Sequence, residues 1–251
     1  MEYATRKPCH TGLCRRCGAR SRDDRQPVSG FPLVLGHRGA KACAPENTPR
    51  GFLRAIEDGA DGVEFDVRCS RDRVPVLLHD ATLLRTAHRA ARLSQLDAAE
   101  SRLPRLSAIL DEFAPVLYLN AEVKEPMPAA AWEVLAAKLP CPEGPGALVS
   151  SFSQRALREA RLHAPSIPRG LLLGPADTLP QPALVDELGL SVLVLHDSLI
   201  HGPAVVESCR SLGTRLWCYV VNEPERARRL GEWGVEAVIS DDPGMILRSR
   251  R

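Results

Sequence analysis

From Phe31 onward the chain alternates short apolar runs with amphipathic stretches. Leu33 to Leu35 is short and wholly apolar, the mark of a buried strand. Phe52, Leu53 and Ile56 then recur at helical spacing, with Asn47 or Thr48 as cap and Gly59 as stop. Val63 to Val67 is the next strand, interrupted by two carboxylates at Glu64 and Asp66. Val74 to Leu78 is a further extended run, with Asp72 and Arg73 in the turn ahead of it. Residues 81–105 are polar, Arg-rich and poorly periodic, and no long element is predicted there. Beyond them the pattern predicts strands at 116–123, 147–152, 170–173, 192–196, 215–221 and 237–240. Helices are predicted at 106–113, 129–139, 154–163, 183–188, 203–212, 225–233 and 243–247. With the Val74 run set aside as a short hairpin arm after the second strand, eight strands remain, separated by helices. Parallel pairing through right-handed crossovers closes eight such units into a TIM (β/α)₈ barrel, a single α/β domain.

Length and composition narrow this picture without changing it. A chain of 251 residues can bury one sizeable core, and 44% hydrophobic with 25% charged residues is ordinary for a globular domain. A net charge of +2 gives no reason to expect a nucleic-acid partner. No apolar run approaches the roughly 20 residues of a membrane span, so no transmembrane segment is expected. Residues 1–26 lack the apolar centre of a secretory signal, and the eight cysteines have no regular framework spacing. Reduced thiols and a cytoplasmic location are the expectation. Residues 1–30 read as a disordered arm ahead of a domain spanning 31–251. Within that arm Cys14 and Cys17 have the spacing of half a zinc site, which His10 or Cys9 would complete. The second half is missing, and the plainer reading is that these side chains bind nothing.

The chemistry concentrates between Leu35 and Asp80. On a strand, residues i and i+2 share a face, so Glu64 and Asp66 point together while Val63, Phe65 and Val67 face the packing side. Two adjacent carboxylates repel unless a cation lies between them, and hard oxygen ligands suit Mg²⁺ or Ca²⁺. His37 and His79 each end an apolar run and can move protons near neutral pH. In a TIM barrel the site lies at the strand C-termini, and His37, Glu64, Asp66, Glu122, Lys124 and Trp217 all fall at or near such ends. Glu64, Asp66 and Glu122 are therefore the candidate metal ligands, and Arg38 and Lys124 the candidate grips on a phosphate. His10, His88, His163, His196 and His201 have no such company and read as surface or packing residues; Cys43 and Cys69 read as incidental thiols. Residue chemistry alone points to metal-assisted phosphoester hydrolysis.

Several motifs in order resemble the glycerophosphodiester phosphodiesterase family: His37-Arg38-Gly39, Pro45-Glu46-Asn47-Thr48, Gly59-Ala60-Asp61 with Val63-Glu64-Phe65-Asp66-Val67, and Val74-Pro75-Val76 followed by His79-Asp80. The resemblance extends loosely from Leu33 to Leu247. It implies hydrolysis of glycerophosphodiesters to sn-glycerol 3-phosphate and an alcohol, using one divalent cation (Mg²⁺ or Ca²⁺, with Mn²⁺ a further choice). It matches Glu64, Asp66 and Glu122 to the family's ligands and Glu46 to a residue that supports the site. It also matches Trp217 to the aromatic lining the alcohol pocket, with ordinary barrel packing as the alternative for that side chain. The chain departs from the family at Arg73, where Gly is usual, so a differently shaped hairpin is expected. It departs again at Cys218, where Thr is commoner, with little consequence expected. The short 81–105 segment implies an open or simply lined mouth, which admits the alternative of a lysophospholipase D acting on lysophospholipids. A non-catalytic barrel that binds phosphorylated ligands is the alternative outside enzymes. Nothing in the sequence indicates head group or oligomeric state.

Overall fold

A computed structural model describes residues 30–139, 144 and 146–250. Cys9, His10, Cys14 and Cys17, and with them the zinc reading and nearly all of the N-terminal arm, lie outside the described residues. The chain runs through β1 (Leu33–His37), α1 (Pro49–Glu57), β2 (Gly62–Cys69) and β3 (Pro75–Leu77). After them come α2 (Leu84–Ala87), a 3₁₀ turn at Leu93–Gln95, α3 (Ala98–Ser101) and α4 (Leu106–Phe113). Regular alternation follows: β4 (Tyr118–Val123), α5 (Ala129–Lys138), β5 (Ala147–Ser151), α6 (Gln154–His163), β6 (Arg169–Leu173) and α7 (Pro182–Leu188). The last units are β7 (Leu190–His196), α8 (Pro203–Ser211), β8 (Arg215–Tyr219), α9 (Pro224–Trp233), β9 (Ala237–Ser240) and α10 (Pro243–Arg248).

Every pairing but that of β2 with β3 is parallel, and β1 pairs with both β2 and β9, so eight strands close into a barrel. β3 is the hairpin arm, antiparallel to β2 from Val67 to Cys69. β2 is long enough for both jobs: Gly62–Glu64 pair with β1, and the residues above the rim pair with β3. The predicted two-residue alternation decides what faces where. Val63, Phe65 and Val67 are fully buried against the helical layer, where Phe52 of α1 meets Phe65 and Phe113 at ring distances of 5.7 and 5.2 Å. Full burial of such a side chain is worth roughly 1.5–3 kcal/mol, which fixes the register and turns Glu64 and Asp66 into the barrel. The interior below them is apolar, filled by Leu35, Leu148, Val192, Val194, Trp217 and Ile239 among others.

Residues 81–105 are ordered, in pieces too short to show a period. Leu83, Leu93 and Ala98 join Val76 and Leu78 in a small core of their own, on the hairpin arm. Asp97 and Glu100 form a capping box on α3. Thr48 caps α1, accepting from the Gly51 amide at 3.1 Å, which leaves Asn47 free for another role. The hairpin turn retains a left-handed residue despite carrying Arg: Arg73 sits at φ +62°.

Candidate active site

The site is assembled from the ends of three parallel strands, β1, β2 and β4, and the segments that follow β1, β3, β4 and β9. The register sets Asp66 beside Glu122 and Glu64 beside Asn120, with His37 of β1 on the other side of Glu64. Oxygen atoms of Glu64, Asp66 and Glu122 lie within 4.8 Å of one another, and all three residues are buried. The turn after β1 adds two donors by means of unusual backbone. Arg38 and Asn47 both take left-handed φ, at +54° and +55°. That conformation points the Arg38 amide at Glu64 Oε2 (3.0 Å). It lets the Asn47 side chain bracket Asp66, donating to Oδ2 at 2.7 Å and accepting from the Asp66 amide at 3.0 Å. Gly39, at φ +84°, completes the turn; a Cβ there would meet the Gly51 carbonyl carbon at 2.6 Å.

The cluster's electrostatics are unbalanced. Lys124 Nζ lies 2.5 Å from Glu122 Oε1 and 2.9 Å from Asp66 Oδ1, and Arg38 Nε lies 3.2 Å from Asp66 Oδ2. Burial raises the Asp66 carboxyl, but Lys124, Arg38 and the Asn47 hydrogen bond outweigh it and hold the group below its ordinary value. Glu64 goes the other way: burial first, then the charges of Asp66 and Glu122, push it well above its usual range. Burial likewise raises Glu122. Two cations beside three carboxyl groups leave the third, Glu64, ionised only at a cost, which a proton or a further cation removes. Glu64 Oε1 is buried with no hydrogen-bond partner. A buried carboxylate oxygen without a donor is costly, and a hard divalent cation is what this donor set fits.

Both histidines are held from behind by carboxylates. His37 Nδ1 is 2.6 Å from Asp241 Oδ1, and its Nε2 is 3.9 Å from Glu64 Oε2. His79 Nδ1 is 2.7 Å from Asp80 Oδ1. Since a carboxylate accepts, Nδ1 carries the proton in each neutral ring and Nε2 keeps the lone pair. Burial lowers the pKa of both rings, against the pull of these carboxylates. His37 in turn helps hold Asp241 at about 2, against its burial. His79 feels the charges of Asp66, Lys124 and Arg38, which puts it beside the carboxylate cluster.

The structure thus brings together His37, His79, Arg38, Lys124, Glu46, Glu64, Asp66 and Glu122. Glu46 accepts from Arg38 Nη1 at 3.1 Å. Trp217 is not among them. It is 1% exposed, packs edge-on against Tyr118, and its Nε1 donates to Glu236 just ahead of β9, toward the opposite end of the barrel. The aromatics at that stretch of rim are Tyr219 and the half-exposed Phe152, 6.1 Å apart between ring centres. Sequence reasoning missed Asp241, Asn222 and Arg85. Asn222 Oδ1 accepts from the Asp241 amide and its Nδ2 donates to Asp241 Oδ2. Asp241 follows directly on β9, so the strand-end rule that found Glu122 would have found it too.

The model of the glycerophosphoryl diester phosphodiesterase family matches residues 37–245 of this chain. The glycerophosphodiester phosphodiesterase of Caldanaerobacter subterraneus subsp. tengcongensis is 29% identical over 235 residues, spanning 86% of this chain and 96% of its own. Glycerophosphodiester phosphodiesterase domain-containing protein 4 of Macaca fascicularis is 53% identical, but over 65 residues, or 26% of this chain and 10% of its own. Among solved structures, an Oleispira antarctica phosphodiesterase in complex with the product sn-glycerol-3-phosphate has a TM-score of 0.76 and 27% identity. The match covers 88% of this chain and 97% of that one.

Proposed function

We propose that this chain, which belongs to the glycerophosphoryl diester phosphodiesterase family, hydrolyses glycerophosphodiesters to sn-glycerol 3-phosphate and an alcohol. The observation that carries the reading is the convergence of three buried carboxylates within 4.8 Å, beside two carboxylate-backed imidazoles. Glu64, Asp66 and Glu122 would hold one divalent cation, which when bound polarises the phosphodiester and offsets charge on the departing oxygen. Arg38 and Lys124 flank the same cluster and supply positive charge for the phosphate oxygens. One imidazole, neutral, takes through Nε2 the proton of the nucleophile, either water or a neighbouring hydroxyl of the substrate. The other, protonated, gives a proton to the leaving alcohol as the bond from phosphorus to that oxygen breaks; where the substrate's hydroxyl attacks, water then opens the cyclic phosphate with the roles of the two rings exchanged. Asp241 and Asp80 keep each ring in the working tautomer and stabilise it when charged.

Mg²⁺, Ca²⁺ and Mn²⁺ all suit oxygen ligands, and the choice among them is part of the test. Among the described residues Cys43, Cys69, Cys209 and Cys218 are free thiols, in keeping with a reducing, cytoplasmic setting. No helix among them is long and apolar enough to cross a membrane. The half-exposed Phe152 at the rim offers an apolar surface, which favours a lysophospholipid as the finer choice of substrate. Purified protein assayed on glycerophosphocholine and lysophosphatidylcholine with each cation tests all of this, with release of choline, the alcohol common to both substrates, as the readout. Turnover of the first substrate is expected. Faster turnover of the second would move the assignment to a lysophospholipase D, and no turnover with any cation would overturn it.

A further inference from the structure

One guanidinium outside the barrel strands reaches two groups of the site at once. Arg85 lies on α2, a four-residue helix with no buried residue and no side-chain cap. Its Nε donates to Asp80 Oδ2 at 2.7 Å, and its Nη1 and Nη2 donate to the two oxygens of Glu46 at 2.6 and 2.7 Å. Each acceptor passes the restraint on. Asp80 Oδ1 accepts from His79 Nδ1 at 2.7 Å, and Glu46 Oε1 accepts from Arg38 Nη1 at 3.1 Å. We propose that Arg85 is a positioning residue that ties the His79 imidazole and the Arg38 guanidinium into one frame across the hairpin arm and the turn after β1. The inference rests on the reading that His79 moves a proton and Arg38 grips the phosphate.

The plain alternative is an incidental surface pair, since exposed ion pairs are worth little and Arg85 is about half exposed. Three features tell against it. Three N–H groups of one planar fork are spent on two carboxylates from different segments, a geometry only Arg supplies. Steric packing does not fix the guanidinium, because a cavity of about 570 Å³ runs beside it, lined also by Pro45, Leu78, Leu103 and Pro104. The segment's own anchor is the neighbouring Leu83, fully buried in the small core on the arm, so the fold does not call for Arg85.

The test uses Arg85→Gln and Arg85→Lys beside Asp80→Asn and Glu46→Gln, all in the full chain. With glycerophosphocholine and Mg²⁺, Arg85→Gln is expected to lower kcat roughly 10- to 100-fold, the order of loss that follows about 1 Å of misplacement. Asp80→Asn should reproduce the fall in kcat, and Glu46→Gln the rise in KM that Arg85→Gln also shows. Arg85→Lys should recover only part, because an ammonium cannot hold both carboxylates in a fork. Adding Arg85→Gln to Asp80→Asn should cost kcat little more than Asp80→Asn alone, with thermal midpoints within about 2 °C of wild type. A second readout needs no substrate: the downfield Nδ1–H signal of His79, identified by its loss in His79→Asn. That signal should exchange away in Arg85→Gln while the His37 signal stays. An Arg85→Gln enzyme with kcat within about twofold of wild type, a loss that simply tracks the thermal midpoint, or an unaltered His79 signal would overturn the inference. An inert wild type whose His79 signal still depends on Arg85 would support the tie and sink the functional reading instead.

Discussion

Asp241 shows how much one side chain behind a histidine controls. Its hydrogen bond and charge both raise the pKa of His37, against burial and the cations Lys41 and Arg38. Replacing it with Asn removes the charge and puts a donating amide NH2 where a carboxylate oxygen was, so the tautomer is no longer fixed and kcat is expected to fall by roughly 10²–10⁴-fold, the range general acid–base catalysis is worth. Losing the supports that raise His37 also moves its limb of the kcat/KM profile to lower pH, the acid limb where His37 is the base and the alkaline limb where it is the acid, so the profile reads the role directly. His37→Ala and His79→Ala should each lose activity over that same range while keeping the fold. Glu64 carries the metal side. Its carboxyl is pushed well above the usual value, so cation binding must displace a proton, and affinity should rise with pH through that value. Titration calorimetry in buffers of different ionisation heat measures the released proton, and Glu64→Ala should remove both proton release and cation affinity. The carboxylates and histidines were legible in the sequence because strand alternation and strand ends constrain them. Trp217 was not, because residues near a strand end can share the inward face while pointing toward opposite ends of the barrel, and one sequence does not say which.

At the scale of elements, the barrel strands and the helices between them were legible because each long run keeps its period. Predicted 154–163 is α6, and predicted 237–240 is β9. What escaped was the stretch between β3 and α4, where short helical pieces bury only a few residues each and leave no pattern. Arg85, in that stretch, was therefore passed over. The hairpin turn between β2 and β3 shows the opposite case, a sequence signal that was real but misjudged. Arg73 was expected to reshape the turn; instead it accepts φ +62°, a conformation that costs an L-residue roughly 1–2 kcal/mol. Arg73→Gly is accordingly expected to stabilise the protein by about 1 kcal/mol, less the extra freedom Gly gives the unfolded chain. Urea unfolding at unchanged slope checks it.

For the whole molecule, the proposed cation site links metal binding to folding through the same acidic cluster. A group whose folded pKa is raised keeps its proton where the unfolded chain has lost it. Without a cation, the stability Glu64 contributes is therefore full below its unfolded pKa and fades as pH rises through the raised value. A divalent ion at about 100 times its Kd adds about 2.7 kcal/mol, or roughly 5–10 °C in Tm for a domain of this size. Thermal scans with and without chelator, at two pH values, should show the larger gain at the higher pH. The closed order of strands has a further consequence. Every group proposed to bind the cation or carry a proton falls between His37 and Lys124, while β5 to β9 contribute Asp241, its neighbour Asn222 and the aromatic rim at Phe152 and Tyr219. On the proposed reading, the groups that cut sit in the first half of the polypeptide, supported from the second by Asp241, and the rim open to an alcohol is built by the second. Exchanging the segments that follow β5 to β7 between homologues is therefore expected to change which alcohol is accepted while turnover of glycerophosphocholine persists.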